Sequence, residues 1–348
     1  ETKSNRAGVA KSGTGLKWVP REGRSPGSGM RSHIGRAYIN EPSQTPKPKL
    51  LLLGASSFVG QRLYHRVGFE SAVGTCFRNL HPGMRYFNSV AMNLDSIIEE
   101  SDNFSHAVIL LGDTQPDSCV SDEVTSELIN VNSIVRIIDC LIAREIIPVF
   151  ISSQFVFDGV QGNYEEEDAV NPILVYGRQK VCVEQYLISH CEEYLILRLG
   201  NVYGDTQSDG TLFTAWMDSL VDGVRHIRCA SDQTFSAVYV EDVVTSILAT
   251  VGNNCTGIYH VGARTAHTRI ELLAILLSEL NKLTNIDVEI EPCSINDFDL
   301  PEMRPIDVSM NPDKLIRDTG VDLHEVGECC ERIARKYVLQ NELAVSGP

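Results

Sequence analysis

Lys49-Leu50-Leu51-Leu52-Leu53-Gly54-Ala55-Ser56-Ser57-Phe58-Val59-Gly60 decides how this chain folds. Lys49 to Leu53 is a short, unbroken apolar run of the kind a strand buried on both faces shows. A glycine-punctuated turn follows it, and Gln61 to Val67 then reads as helix. Strand, glycine turn and helix in that order aim backbone N–H groups and the positive helix end at a pyrophosphate. Gly54 permits the tight turn and Gly60 lets helix and strand pack closely, with Ser56, Ser57, Phe58 and Val59 lining the turn between them. The middle glycine of such a turn is Ser57 here, so an ordinary strand-to-helix turn stands as the competing reading.

Working outward, Ala72 to Phe77 reads as the next strand and ends at Arg78-Asn79. An acidic residue at that point would bond a ribose 2′-hydroxyl, whereas an arginine suits a 2′-phosphate, so Arg78 points to NADP rather than NAD. Asn93-Leu94-Asp95 begins a helix, and His106 to Leu111 is another buried strand closing on Gly112. Asp122 to Arg144 is a long helix with apolar positions at Val124, Leu128, Val131, Val135, Ile138 and Leu141. Ile146 to Ser152 and Tyr194 to Leu199 are two more strands, the second running into Gly200-Asn201-Val202-Tyr203-Gly204. Strand patterns alternating with helical ones predict an α/β fold with a doubly wound parallel sheet of Rossmann type.

The strand ending at Ser152 presents Ser152 and Ser153 at its C-terminal end, where ligands lie in open parallel sheets. On the helix that follows, Tyr176 and Lys180 are four apart and project from one face. A phenol is a poor acid or base at neutral pH, and a nearby ammonium would lower its pKa into a usable range. A solvated helix face would carry the same spacing. It is the serine pair and the glycine turn that turn it into a candidate catalytic trio of Ser153, Tyr176 and Lys180.

The chain of 348 residues is long enough for one large α/β domain or two interleaved lobes. Its ten cysteines are scattered, with no C-x-x-C pair, which fits buried free thiols in a reducing compartment rather than a zinc knuckle or a disulfide scaffold. No apolar run reaches the ~18 residues of a membrane span. The net charge of −16 divides unevenly: residues 1–50 hold ten Lys/Arg against three Glu, a net of +7, and the remainder is at −23. So acidic a body does not suit nucleic acid. Residues 1–48, rich in Gly, Ser, Pro, Lys and Arg, cannot bury enough apolar surface to fold alone. That basic, acid-poor extension suits an organellar targeting segment, mitochondrial in composition, or a tether to protein partners, or an inert tail. The expected location is intracellular: mitochondrial by that extension, otherwise cytoplasmic.

Beyond about 205 the pattern is less regular. Helices are expected at Leu212 to Leu220, Val240 to Val251, Arg269 to Leu283 and Leu323 to Leu339, with short strands near 226–229, 257–262 and 286–291. The expected division is a cofactor-binding domain over 49–204, to which 236–256 return, and a smaller substrate lobe over 205–235 and 257–340. Glu165-Glu166-Glu167-Asp168 reads as solvated loop acids, His260 and His267 lack ligand spacing, and no metal site is expected.

These stretches together resemble the extended short-chain dehydrogenase/reductase family. The likeness is to its dTDP-4-dehydrorhamnose reductase branch, which also holds the regulatory β subunit of methionine adenosyltransferase. Ser152-Ser153-Gln154-Phe155-Val156-Phe157-Asp158-Gly159 is similar to that branch's S-T-D-Y-V-F-D-G. Asn171-Pro172, Tyr176 to Lys180, Asn201 to Gly204, Asp232-Gln233, Tyr239-Val240-x-Asp242 and Arg304-Pro305 continue in its order, from about 49 to 340. The resemblance implies Tyr176 as proton donor to a sugar C4 carbonyl. It makes Lys180 the holder of the nicotinamide ribose and Ser153 the hydrogen-bond partner of the carbonyl oxygen. It further implies cofactor contacts from Asn93, Leu94, Leu110, Leu111, Gly112, Asn132, Ser152, Gly200, Asn201 and Val202, and substrate contacts from Gln154, Gln233 and Arg304.

The sequence also departs from that pattern. The residue before the first glycine is Leu53 instead of threonine, and Leu110-Leu111-Gly112 replaces Asn-Ala-Ala. Gln154-Phe155 replaces the Asp-Tyr after the catalytic hydroxyl. Three readings follow. The first is an NADP-dependent reductase of a 4-keto nucleotide sugar. The second is a non-catalytic NADP-binding subunit of a larger complex, tethered by its extension. The third is an epimerase or dehydratase with tightly held NAD, against which Arg78 argues.

Overall fold

The computed structural model describes residues 49–341; the basic extension, with the targeting and tether roles expected of it, lies outside the described residues. Its centre is a seven-stranded sheet in which every pairing is parallel. The strands are β1 (Lys49–Leu53), β2 (Ala72–Cys76), β3 (Arg85–Tyr86), β4 (Phe104–Ile109), β5 (Ile147–Ser153), β6 (Leu195–Leu199) and a seventh, Gly257–Val261. The spatial order is seventh strand, β6, β5, β4, β1, β2, β3. The winding reverses between β1 and β4, and a crevice opens at the C-terminal ends of those two strands.

Side chains alternate across a strand, so the leucine run of β1 serves two cores at once. Leu50 and Leu52 pack on one face with Leu63 of helix α1 (Phe58–Val67). Leu51 and Leu53 pack on the other. Helix α2 (Pro116–Ser121) precedes a long helix with an irregular middle. That helix runs as α3 (Glu123–Glu127), a π turn over Leu128–Asn132, and α4 (Ser133–Ala143). Helix α4 and helix α5 (Val175–His190) cover the Leu51 and Leu53 face through Ile134, Ile137, Ile138, Leu141, Val183 and Leu187.

The second lobe has its own core between α6 (Leu212–Val221), α8 (Arg269–Asn281) and α10 (Val326–Asn341). Phe213, Met217, Leu272, Leu276, Cys330, Ile333 and Tyr337 fill it, so the adjacent cysteines are buried packing groups. Helix α7 (Val240–Gly252) returns to the sheet through Val243, Val244 and Ile247. The expected boundary at 257 is corrected. Gly257–Val261 pairs with β6 as a sheet strand, and Leu315 of α9 (Asp313–Thr319) packs beneath the same sheet. The run Gly257 to Val261 is apolar enough to be strand anywhere; its assignment to the sheet depends on where α7 brings the chain back. Among the described residues no helix is long and apolar enough to cross a membrane.

Candidate active site

The glycine turn is built as its sequence implies. Gly54 has φ +89°, and a Cβ there would stand 3.0 Å from the Leu110 carbonyl oxygen, so only glycine fits. Its N–H donates to Thr75 Oγ1 at 2.9 Å. A Cβ on Gly60 would stand 2.4 Å from the Gly54 carbonyl oxygen, which fixes how closely α1 sits on the turn. Ser57, at the place of the middle glycine, is the N-cap of α1: its Oγ accepts the Gly60 N–H at 3.2 Å. The turn therefore stays open, and the serine closes the helix instead of filling the cradle.

A cleft of about 720 Å³ runs from this turn across the switch point. Gly54, Ser56, Ser57, Arg78, Leu110, Leu111 and Gly112 line it, as does the Asn88-Ser89-Val90 segment. Arg78 is exposed at the end of β2, and among the described residues no carboxylate pairs with it. The cleft thus fits a dinucleotide: an open glycine cradle at a helix N-terminus, and an unpaired guanidinium where a 2′-phosphate would lie. Asn93 and Leu94 are not part of it, which corrects their expected role. Asn93 caps a short 3₁₀ turn over Leu94–Ile97, and Leu94 is buried in the sheet core. Gly200, Asn201 and Val202 do not line the cleft. A Cβ on Gly200 would stand 2.0 Å from the Ser236 carbonyl oxygen, and the Asn201 carbonyl accepts the Val238 N–H. Phe58 and Val59 pack toward the second lobe's core.

Tyr176, Ser153 and Lys180 are brought together at the end of β5, all less than a tenth exposed. The Ser153 hydroxyl hydrogen-bonds the Tyr176 phenol and also accepts the Phe155 N–H at 3.2 Å. Lys180 Nζ donates to the Ile151 carbonyl at 2.9 Å and lies 5.6 Å from the centre of the Tyr176 ring. The expected acidification of the phenol is reversed here. Burial pushes the Tyr176 phenol well above its ordinary value, and only the Ser153 hydrogen bond opposes it. Burial also pushes the Lys180 ammonium down to about 8, with Glu184 holding it up. In these surroundings desolvation, and not the charge of Lys180, sets the phenol. Tyr176 is covered by Cys119, Val120 and Phe155, and the trio does not line the open cleft.

The two serines of the pair serve opposite sides of β5, as alternation requires. Ser152, expected at the cofactor, turns its hydroxyl to Glu184 Oε1 at 2.5 Å. Glu184 forms a doubly bonded ion pair with Arg198, through Nε–Oε1 at 3.1 Å and Nη2–Oε2 at 2.8 Å, with both side chains almost fully buried. His260 stands 3.5 Å from Arg198, and burial together with that cation pushes it down to about 3. Glu166 is not a solvated loop acid: it is buried and accepts the His260 N–H at 2.9 Å.

Asn132 is exposed on its helix, and the amide at the site is Asn130. Asn130 Oδ1 accepts the Asp113 N–H at 2.7 Å, while Nδ2 donates to the Asp113 carbonyl at 3.0 Å and to Gln179 Oε1 at 2.7 Å. Gln179 passes its own N–H to Ser126 Oγ at 2.7 Å. The resemblance points to Asn132; within the π turn over Leu128–Asn132 it is Asn130 that turns inward, while Asn132 is exposed. Of the expected substrate residues, Gln154 follows β5 directly, while Gln233 and Arg304 lie in the second lobe. Gln154 and Gln233 are almost fully buried, and Arg304 pairs with Asp117 of α2.

The comparisons with known proteins follow the same plan. A family model described as "RmlD substrate binding domain" matches residues 48–338. A probable low-salt glycan biosynthesis reductase of Haloferax volcanii is 30% identical over 196 residues, 55% of this chain and 64% of that protein. Methionine adenosyltransferase 2 subunit beta of Xenopus tropicalis is 23% identical over 75% of this chain and 80% of its own length. The solved dTDP-4-dehydrorhamnose reductase of Bacillus anthracis, in complex with NADP, superposes with a TM-score of 0.71 at 20% identity, covering 83% of this chain and 99% of that one. Since the family model spans nearly all of the described residues, both lobes included, the chain belongs to the RmlD substrate binding domain family.

Proposed function

We propose that the protein is an NADPH-dependent reductase of a 4-keto nucleotide sugar. The observation that carries this reading is the Ser153–Tyr176–Lys180 cluster, at the strand ends beside an open glycine cradle. The Haloferax relative, a probable reductase, and the NADP-bound Bacillus structure support it. Bound in the cleft, NADPH would supply the hydride. The chain's own part is the proton and the charge. Tyr176 keeps its phenolic proton at neutral pH because burial raises its pKa, and can pass it to the carbonyl oxygen as negative charge develops there. Ser153 holds the phenol by its hydrogen bond and offers a hydroxyl to the same oxygen. Lys180, cationic below about 8, favours the phenolate that this transfer leaves. Cys119, Val120 and Phe155 keep water from the phenol.

The test is oxidation of NADPH in the presence of a dTDP-4-keto-6-deoxy sugar. Tyr176→Phe should lower kcat by roughly 10²-fold or more, the usual scale of general acid catalysis. Turnover indifferent to that substitution would remove the mechanism.

One observation favours a second reading, a nucleotide-binding subunit without turnover. The phenol is covered by its neighbours while the cleft beside it stays open. The methionine adenosyltransferase relative is consistent with that role. Tight NADPH binding with no turnover of any 4-keto nucleotide sugar would favour this reading over the first.

A further inference from the structure

Residues 113–120 stand between the open cleft and the phenol. Asp113, Thr114, Gln115 and Ser118 line the cleft. Cys119 and Val120, from the same segment, pack with Phe155 on Tyr176. Cys119 is fully buried and Tyr176 nearly so. A hydride donor in that cleft and a proton donor at that phenol would have to act on one carbonyl, and a wall one short helix thick divides them. The wall is bounded on both sides by a bend in the backbone. Gly112, at φ +141°, precedes it, and Asp122 interrupts the helical path between α2 and α3 with φ −141° and ψ 77°. Such residues at the ends of elements are where a covering segment can turn as a body.

One side chain of α5 holds both ends of this wall. Gln179 accepts from Asn130 Nδ2 through Oε1 at 2.7 Å and donates from Nε2 to Ser126 Oγ at 2.7 Å. Asn130 grips the start of the wall, accepting the Asp113 N–H at 2.7 Å and donating to the Asp113 carbonyl at 3.0 Å. Ser126 grips the far end, donating its hydroxyl to the Cys119 carbonyl at 2.9 Å. All three side chains are less than a tenth exposed. A buried chain of this kind holds only while every member is satisfied, because a freed partner has no water to turn to. Gln179 is the link that joins the other two, and it lies three residues after Tyr176 and next to Lys180. The wall has an outer tie as well, the ion pair of Asp117 with Arg304. Asp117 is half exposed, so that pair contributes little beside the buried chain.

We propose that Gln179 is a positioning residue that clasps segment 113–120 over the Tyr176 phenol as a cover, and that this cover parts at Gly112 and Asp122 to admit the reacting carbonyl. The proposal rests on the reductase reading for what passes beneath the cover, but the clasp itself is tested on a thiol and not on turnover. Only the fraction of molecules with the cover open can take substrate at the phenol, so the apparent affinity is reduced by that fraction. Gln179 thereby bears on KM, while Tyr176 bears on the chemical step. An open cleft beside a covered phenol is then the resting state of one device.

The test is alkylation of the folded full chain by iodoacetamide, followed cysteine by cysteine through the masses of the alkylated peptides. Cys119 is the reporter, since its thiol meets reagent only when the cover opens. Cys229 and Cys330, buried in the core of the second lobe, report unfolding of the whole. Gln179→Leu removes the clasp; Ser126→Ala cuts its far end without touching α5 and serves if the first variant does not fold. In both, Cys119 should react roughly tenfold faster than in wild type, the scale of one lost buried hydrogen bond, with Cys229 and Cys330 unchanged. At saturating NADPH, KM for a dTDP-4-keto-6-deoxy sugar should fall by a similar factor while kcat does not rise, whereas simple damage to the site would raise KM. Equal Cys119 rates in wild type and both variants, or an acceleration shared by Cys229 and Cys330, would overturn the clasp. Faster Cys119 in variants of a chain that turns over no such sugar would leave the clasp standing and remove the reductase reading. Turnover that needs Tyr176, with Cys119 rates alike in all three proteins, would do the reverse.

Discussion

At the residue scale, the trio's spacing is written in the chain but its protonation is not. Tyr and Lys four apart suggest an acidified phenol; their burial produces a phenol that resists ionisation and a lysine that titrates near 8. The lysine makes a direct prediction. Its pKa falls from 10.5 in the unfolded chain to about 8 in the fold, so between those values the unfolded state binds more protons. Stability should therefore rise with pH across that window. Below it both states hold the proton and the full cost of the buried charge remains; above it that cost is gone. Melting temperatures of wild type and Lys180→Met, taken from pH 7.5 to 10.5, should show the rise in the wild type and a flatter course in the variant. Parallel curves would show that Lys180 is not the titrating group. The asparagine at the site was legible as a residue type but not as a position: the resemblance pointed to Asn132, whereas Asn130 is the one that is buried and bonded to Asp113 and Gln179.

At the scale of elements, strand, glycine turn and helix were legible because each depends on neighbours in sequence. Leucine runs make buried strands, Gly54 takes a positive φ, and a serine before an apolar helix caps it. The pairing of α5 with β6 was not legible, since Glu184 and Arg198 look like ordinary charged residues until the sheet stacks them. That pair is buried and also holds Ser152, so breaking one side strands the other charge. Glu184→Gln should cost about 3–5 kcal/mol in urea unfolding. The double variant Glu184→Met with Arg198→Met should recover most of it, because two apolar groups of similar volume replace two desolvated charges. If the double variant were as unstable as the single one, the ion pair would be a net stabiliser and not a matched burden.

At the scale of the whole molecule, the second lobe reaches back to organise the first. Helix α5 starts at Val175 with no side-chain cap of its own, because its N-cap position is Leu174. Glu302 supplies the missing acceptor from 127 residues away, at 3.0 and 3.3 Å. Glu302→Ala should cost about 1 kcal/mol, the usual loss on removing a helix N-cap. Because Tyr176 follows directly on Val175, kcat/KM should fall with it while the dissociation constant for NADP stays unchanged. A weakened NADP affinity of the same size would mean that the contact supports the cofactor half instead. The seventh strand, placed in the second lobe by its position in sequence, joins the sheet for a related reason: α7 returns the chain to β6, and strand order is a property of the packed molecule.

The amino-acid sequence by itself determined the parallel sheet, the glycine cradle, the cleft-facing Arg78 and the residues of the trio, since each follows from local pattern, backbone freedom or spacing within a few positions. Tertiary structure alone decided which asparagine serves the site, which serine turns inward and how burial sets the trio's protonation. Those outcomes depend on desolvation and on contacts between segments far apart in the chain, which no local pattern encodes.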